Sequence, residues 1–258
     1  KEFFDKEKMV LWVSKYNLKE TDSETIFSQI KKEHPDIVFI LGTDALELTK
    51  KKIKDIPVVF STVLAPDGNL DANVTGVSLN ISPEVKLKEI KRILPDKKRI
   101  GIIYSPKTGI NETLQSCKEL GFKPVIKKIT SAKEFPDALK EISWQIDCFL
   151  MLSDTEIYLP QTVKYLLLES LRQKFPVIGL SSFYTKAGAL LSFDCDYKDL
   201  GRQAGEIALK ILRGEKPADI SLLKPRKIKI SLNLLVAERM DIKIPAVVIK
   251  EASEVFGK

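Results

Sequence analysis

The sequence predicts an α/β protein of two similar lobes, each built on a parallel sheet, and three observations carry that expectation. Apolar runs without alternation recur at residues 37–41, 56–60, 100–103, 148–152 and 177–180, as in strands covered on both faces. Stretches with helical periodicity separate these runs at the spacing of right-handed βαβ units. The rhythm pauses near residues 75–83 and restarts at Arg99, which divides it into two runs.

Taken in order, residues 8–14 (Lys-Met-Val-Leu-Trp-Val-Ser) read as a first strand. Thr21-Asp22-Ser23-Glu24 is a capping sequence, and Ile26, Phe27 and Ile30 form the apolar stripe of a helix that ends at His34-Pro35. The strand 37–41 follows, expected to be buried on both faces, and Gly42-Thr43-Asp44 turns it into a helix that runs to Lys50-Lys51-Lys52. Thr43 or Asp44 serves there either as a helix cap or as a ligand contact. The next strand, 56–62, ends in Ser61-Thr62; residues 65–69 are a turn, and Thr75 lies in a short extended piece beside Gly76. A helix over 83–94 closes the first run.

In the second run, 99–104 is a strand ending at Tyr104-Ser105, 111–120 a helix stopped by Gly121, and 124–129 another strand. A helix over 131–142 leads to the strand 147–152, which delivers Ser153, Asp154 and Thr155. A helix through 166–171 leads to 175–180, which delivers Ser181 and Ser182. Polar residues thus gather at strand carboxyl ends, where open α/β sheets bind ligands and where the next helix offers unpaired N–H groups. Two sheets meeting over such ends would enclose a cleft of hydroxyls and amides, suited to holding a small zwitterion.

Composition narrows the function. With 258 residues, 44% hydrophobic and 30% charged, the chain has the make-up of a folded globular protein. The net charge of +7 is dispersed and gives no nucleic-acid patch. His34 is the single histidine, and Cys117, Cys148 and Cys195 have no metal-ligand spacing and read as buried thiols. No nucleophile elbow, Cys-His pair, phosphate loop or dinucleotide fingerprint is present. The chain is therefore read as a binding protein, not an enzyme, with no metal and no cofactor. No apolar run is long enough to span a membrane, and the opening Lys1-Glu2-Phe3-Phe4-Asp5-Lys6 is not a signal peptide.

A resemblance sharpens this reading. Gly188-Ala189-Leu190-Leu191-Ser192-Phe193-Asp194-Cys195-Asp196-Tyr197, followed by Leu200-Gly201-Arg202-Gln203-Ala204-Gly205 and Ile211-Leu212-Arg213-Gly214-Glu215-Lys216-Pro217, resembles the ABC transporter substrate-binding family that includes aromatic-amino-acid-binding proteins. Matching blocks lie at residues 35–43, 56–60, 73–78, 94–104 and 233–245, in the family's order. The resemblance implies the type I periplasmic-binding-protein fold: two Rossmann-like lobes joined by a three-segment hinge. It implies crossings near 77–82, 186–189 and 229–233, so that 1–77 plus 189–228 form the N-terminal lobe and 78–188 plus 229–258 the C-terminal lobe, with the helix 200–212 in the first. Only residues 1–7 stand where the family usually has a further strand and helix, so the first lobe is expected to be reduced or the chain cut.

It further implies an extracytoplasmic protein, a monomer that delivers a small solute to ABC permease subunits. The solute is expected to be an aromatic or branched-chain amino acid. The same module used as the ligand-sensing part of a signalling protein is the alternative. The family's Asp-Pro after the second strand and Asp-Asn after the Ser153 strand are here Ala65-Pro66 and Asp154-Thr155, so the solute's identity does not carry over. For an amino acid, Thr43 and the N–H groups after Gly42, helped by Ser61 or Thr62, would take the carboxylate. Asp154, or second Asp194, would take the ammonium. Asp44, Thr75, Tyr104, Ser105, Ser153, Thr155, Ser181 and Ser182 complete the expected lining, while Asp196 and Tyr197 are expected to start a helix. Which of Phe60, Tyr104, Tyr158, Phe183 and Tyr184 face the solute is left open by spacing.

Overall fold

The computed structural model describes residues 10–64 and 70–257. The chain divides into two compact units, residues 1–80 with 195–227 and residues 81–194 with 228–258, and so passes from one to the other three times.

The first unit opens with α1 (Ser23–Glu33), β1 (Val38–Leu41), α2 (Thr43–Lys52), β2 (Val58–Val63) and β3 (Val74–Ser78), and later contributes α8 (Tyr197–Leu212). Its three strands are parallel in the order β1-β2-β3. A parallel bridge between Val77 and Leu223 continues the sheet beyond β3. Local chemistry sets the helix ends. The Asp22 carboxylate accepts from Thr25 N at 3.0 Å to cap α1. His34 closes the same helix in the left-handed region, φ 46°, just before Pro35. Ile26, Phe27 and Ile30 of α1 pack with Val38, Ile40, Leu46, Val58 and Phe60 in one core, and α8 covers β2 and β3.

Two expectations are corrected here. Residues 10–14 form no strand, and Trp12 is 98% exposed; residues 8 and 9 of the expected strand lie outside the described residues. Strand β1 is not covered on both faces: Val38 and Ile40 are buried, whereas Phe39 is 43% and Leu41 71% exposed. The cause is position. Strand β1 is the outer member of its sheet, and the helix α8 that covers the centre lies over β2 and β3.

The second unit holds α3 (Pro83–Ile93), β4 (Arg99–Tyr104), α4 (Asn111–Leu120), β5 (Lys123–Lys128), α5 (Phe135–Ser143), β6 (Cys148–Leu150), α6 (Pro160–Gln173), β7 (Val177–Gly179), α7 (Ser182–Ala187) and β8 (Leu191–Cys195). It then takes β9 (Ile228–Asn233), α9 (Leu234–Arg239), α10 (Ala246–Glu251) and β10 (Glu254–Phe256). Its sheet has the order β10-β9-β8-β7-β6-β4-β5. Strands β5, β4, β6, β7 and β8 run parallel. Asn233 N donates to Leu190 O and Asp196 N to Lys227 O, so residues 190 and 233 face each other as 196 and 227 do, and β9 runs antiparallel to β8. Strand β10 follows the direction of β9.

The chain leaves the second unit after Asp194, not near residues 186–189 as expected, because β8 pairs with β7 from Leu191. Residues 189–194 therefore belong to the second unit. The first and third passages fall at 80/81 and 227/228. Gly179 at the end of β7 permits a close approach: a Cβ there would sit 2.4 Å from Ser192 Oγ and 2.6 Å from Tyr184 Cβ. The three cysteines are buried, and burial pushes Cys117 up to about 11 and Cys148 up to about 12, so these two remain thiols at neutral pH.

Candidate functional site: the carboxyl edges of the two sheets

In the first unit, Gly42 joins β1 to α2 at φ 93°, a conformation that favours glycine, and as the cap residue it brings no side chain to the helix start. Neither Thr43 nor Asp44 is the cap. Both stand exposed in the first turn, and among the described residues no side chain accepts from its N–H groups. Gly42 N itself donates to Ser61 O at 3.3 Å, which ties this turn to the end of β2.

At that end the pairing of β2 with β3 slips by a residue between Phe60 and Val63. Thr62, inside the slip, has φ 59°, where a β-branched residue is strained. A bulge of this kind takes a residue out of the ladder and re-aims its side chain. Ser61 is buried and Thr62 half-buried. Gly42, Thr43, Asp44, Ser61 and Thr62 are thus brought together at one edge. Thr75 is not part of it. It is fully buried within β3, and its hydroxyl donates to Ile220 O at 2.9 Å, holding the 217–223 segment against the sheet.

In the second unit, Tyr104, Ser105, Ser153, Asp154, Thr155, Ser181, Ser182 and Asp194 all follow or end parallel strands and lie at one edge. Their environments differ. Asp154, 6% exposed, accepts from Ser105 N at 2.8 Å, Thr108 Oγ1 at 2.5 Å and Glu156 N at 3.0 Å. It therefore braces the loop after β4 against the loop after β6, a role that its pairing with an ammonium did not foresee. Burial by itself would raise its carboxyl group. The bonds from Thr108, Ser105 and Glu156 outweigh that and hold it below the ordinary Asp value, so it stays ionised. Ser105 Oγ is buried and, among the described residues, has no partner in hydrogen-bond geometry. Ser153 and Thr155 are exposed, and Ser181 and Ser182 half-buried at the start of α7.

Ser182 and Asp194 line a small cavity of about 30 Å³ with Lys229, Ile230, Ser231, Ser253 and Glu254, room for one water. Beneath it Thr185 Oγ1 donates to Ser192 Oγ at 2.7 Å and lies 2.8 Å from Ser231 Oγ, while Asn233 Nδ2 donates to Thr185 O at 3.0 Å. This buried chain fixes α7 on β8 and β9. Sequence reading missed it; Ser192 and Ser231 inside apolar strands were the available signal.

The aromatic candidates differ in exposure. Phe60 is fully buried, and the Tyr158 hydroxyl donates to Ile103 O at 2.8 Å inside the second core. Tyr104 is half-buried at the end of β4, and Phe183 is 72% exposed on α7. Asp196 caps α8 as expected, accepting from Lys198 N and Asp199 N at 3.0 and 3.1 Å. Among the described residues no group of three or more His, Cys, Asp or Glu could hold a metal ion.

Strand ends of this kind present hydroxyls and backbone N–H groups to which a small solute can bond. A family described as ABC transporter substrate binding protein matches residues 4–256. A tyrosine-binding protein of Clostridioides difficile is 25% identical over 225 residues, covering 82% of this chain. This chain spans 64% of that relative's length. An ABC domain from Streptococcus pneumonia in complex with L-Trp is 26% identical with a TM-score of 0.65, over 90% of this chain and 82% of that one. A ligand-free, open substrate-binding protein with adhesive properties from Clostridium difficile shares the fold, with a TM-score of 0.71 at 24% identity over 91% and 83% of the two chains. The fold is thus that of the type I periplasmic binding proteins, and the family is a solute-binding one. From its match over nearly the whole sequence, the chain belongs to the ABC transporter substrate-binding protein family.

Proposed function

We propose that the protein is the extracytoplasmic solute-binding component of an ABC importer, that it binds a free amino acid, and that it hands the solute unchanged to the permease. The carboxylate is taken by the first unit, at the uncapped N-terminus of α2 after Gly42, with Thr43 and the bulged Ser61-Thr62. On the second unit, Asp194, which lines a small cavity with Ser182, is the acidic group offered for an ammonium. The observation that carries this reading is the start of α2 at Gly42, where among the described residues no side chain takes the first N–H groups, beside a strained Thr62, since such backbone donors suit an anionic group.

Hydrogen bonds to a charged group contribute roughly 1.5–3 kcal/mol each, so three or four offset the desolvation of the solute's ends. Solute binding favours the conformation in which its contacts are made, by the free energy of those contacts, and permease subunits would read that conformation. The relatives that bind tyrosine and L-Trp support an amino acid as solute.

Thermal unfolding of the whole chain against the twenty amino acids tests the reading. At least one should raise the midpoint in a concentration-dependent way. Thr43→Ala should reduce that shift while leaving the unliganded midpoint within about 1 °C, because Thr43 is exposed. No shift with any amino acid sinks the proposal.

A further inference from the structure

We propose that the protein, whatever solute it binds, forms a reciprocal dimer in which residues 10–13 of one copy add as a strand to the free edge of β1 in the other. Strand β1 pairs only with β2 among the described residues. Its outward side chains are apolar, Phe39 being 43% and Leu41 71% exposed, while helix α8 covers β2 and β3. An open strand edge is a template for further pairing, and chains that stay apart guard it with lysine, proline, a bulge or short length.

The other sheet ends are guarded or covered. Strand β5 carries Lys123, Pro124, Lys127 and Lys128, and β10 has only three residues. Strand β3 is covered by the chain around Leu223: Ser78 N donates to Leu223 O at 2.9 Å, and Leu223 N to Gly76 O at 3.0 Å. Val38-Phe39-Ile40-Leu41 has none of these devices.

A strand to fill the edge is present in the same chain. Residues 10–13, Val-Leu-Trp-Val, have a strand-forming composition, and among the described residues their backbone bonds to no other backbone group. Val10 is 88%, Trp12 98% and Val13 64% exposed, so the segment is not laid on β1 of its own copy. The chain just after it is fixed, since the Tyr16 hydroxyl donates to Glu33 at 2.8 Å and Leu18 packs on the first core. As a strand, Val10 and Trp12 fall on one face and Leu11 and Val13 on the other, and two apolar faces suit a place inside a sheet. A two-fold contact is self-complementary, each copy giving its segment and receiving the other's, so every one of these side chains is buried twice. An aromatic side chain buries about 150–250 Å², so the two Trp12 rings alone supply roughly 400 Å². Val10, Val13, Phe39 and Leu41 of both copies bring the contact to the order of 1,200 Å², the lower end for a specific interface. The resemblance implies a monomer; an unguarded edge beside a spare strand argues for two copies.

Sedimentation of the whole chain across micromolar concentrations tests this, with Trp12→Lys to spoil the added strand and Leu41→Lys to guard the edge. Both positions are exposed, so both variants should fold. Wild type should dimerise, and each variant alone should have a dissociation constant at least about tenfold higher. An equal mixture of the two should associate more tightly than either alone, because the intact segment of Leu41→Lys meets the intact edge of Trp12→Lys. With Trp144→Phe, which leaves Trp12 as the single tryptophan, emission should move to shorter wavelength as the concentration rises. Wild type that stays a monomer at every concentration overturns the proposal. So does association that both lysine substitutions leave unchanged, or a mixture no tighter than its separate components.

Discussion

At the carboxyl edge of the three-stranded sheet, the chain enters α2 through Gly42, with no described side chain on the first N–H groups, and leaves β2 through Thr62 at φ 59°. At the matching edge of the seven-stranded sheet, Asp154 collects three donors from two loops, and hydroxyls of Thr185, Ser192 and Ser231 join under α7. The first edge keeps its backbone donors open and holds local strain; the second ties its polar groups to one another and presents a few of them outward. A solute's carboxylate gains most where donors are not already paired, so its recognition is assigned to the first edge. Each half of this contrast can be broken separately.

The largest effect is expected at Asp154. Asp154→Ala leaves Ser105 N, Thr108 Oγ1 and Glu156 N without their acceptor and should lower stability by about 3 kcal/mol, read from urea unfolding. Its carboxyl is held below the ordinary value, so its stabilisation is present above about pH 4 and is lost as pH falls through the depressed folded value. The stability gap between wild type and Asp154→Asn should therefore narrow as the pH drops below about 4. A gap that stays constant to lower pH would mean that the ionised form is not what holds the two loops.

A smaller loss is expected at Arg226, whose guanidinium bonds Asp199 at 2.9 and 3.1 Å and Glu206 at 2.8 and 2.9 Å. Its backbone N donates to Gln203 Oε1 at 3.2 Å, so the residue fastens the 224–227 segment to α8 just before the third passage. Asp199 is buried, and removing its partner leaves an uncompensated charge. Arg226→Met should lower stability by about 2 kcal/mol. The unit that keeps its edge open would then be shown to owe its order to this remote clamp. If Arg226→Met is neutral, the burial of α8 on β2 and β3 suffices.

Much of this architecture was legible in the sequence because its signals are local. Asp22 and Asp196 each sit where a carboxylate reaches N–H groups three residues on, and Gly121 ends α4 at φ 78°. What failed was burial, which depends on the neighbours a strand acquires. Residues 37–41 look fit for two covered faces, yet an outer strand receives one. The site was legible as a set of strand ends and illegible as a set of roles. Thr75 and Asp154 resemble their neighbours until partners 145 and 46 residues away, Ile220 and Thr108, take their polar atoms. Nothing in a Ser-Thr pair signals a bulge, since a β-branched residue disfavours the conformation that Thr62 adopts.

The smallest expected effect is the most discriminating for the open edge. Holding a non-glycine residue in the left-handed region costs roughly 1–2 kcal/mol, and glycine removes that strain while adding about 0.5–1 kcal/mol of unfolded-state entropy. Thr62→Gly should therefore raise the unliganded stability by about 0.5 kcal/mol, read as a small upward shift of the urea midpoint with an unchanged slope. The same change removes a hydroxyl and loosens the turn that Ser61 O shares with Gly42 N, so amino-acid affinity should fall severalfold. Higher stability together with weaker binding is the signature of strain kept for recognition. Lower stability with unaltered binding would instead make Thr62 a packing residue and return the solute's carboxylate to α2 alone.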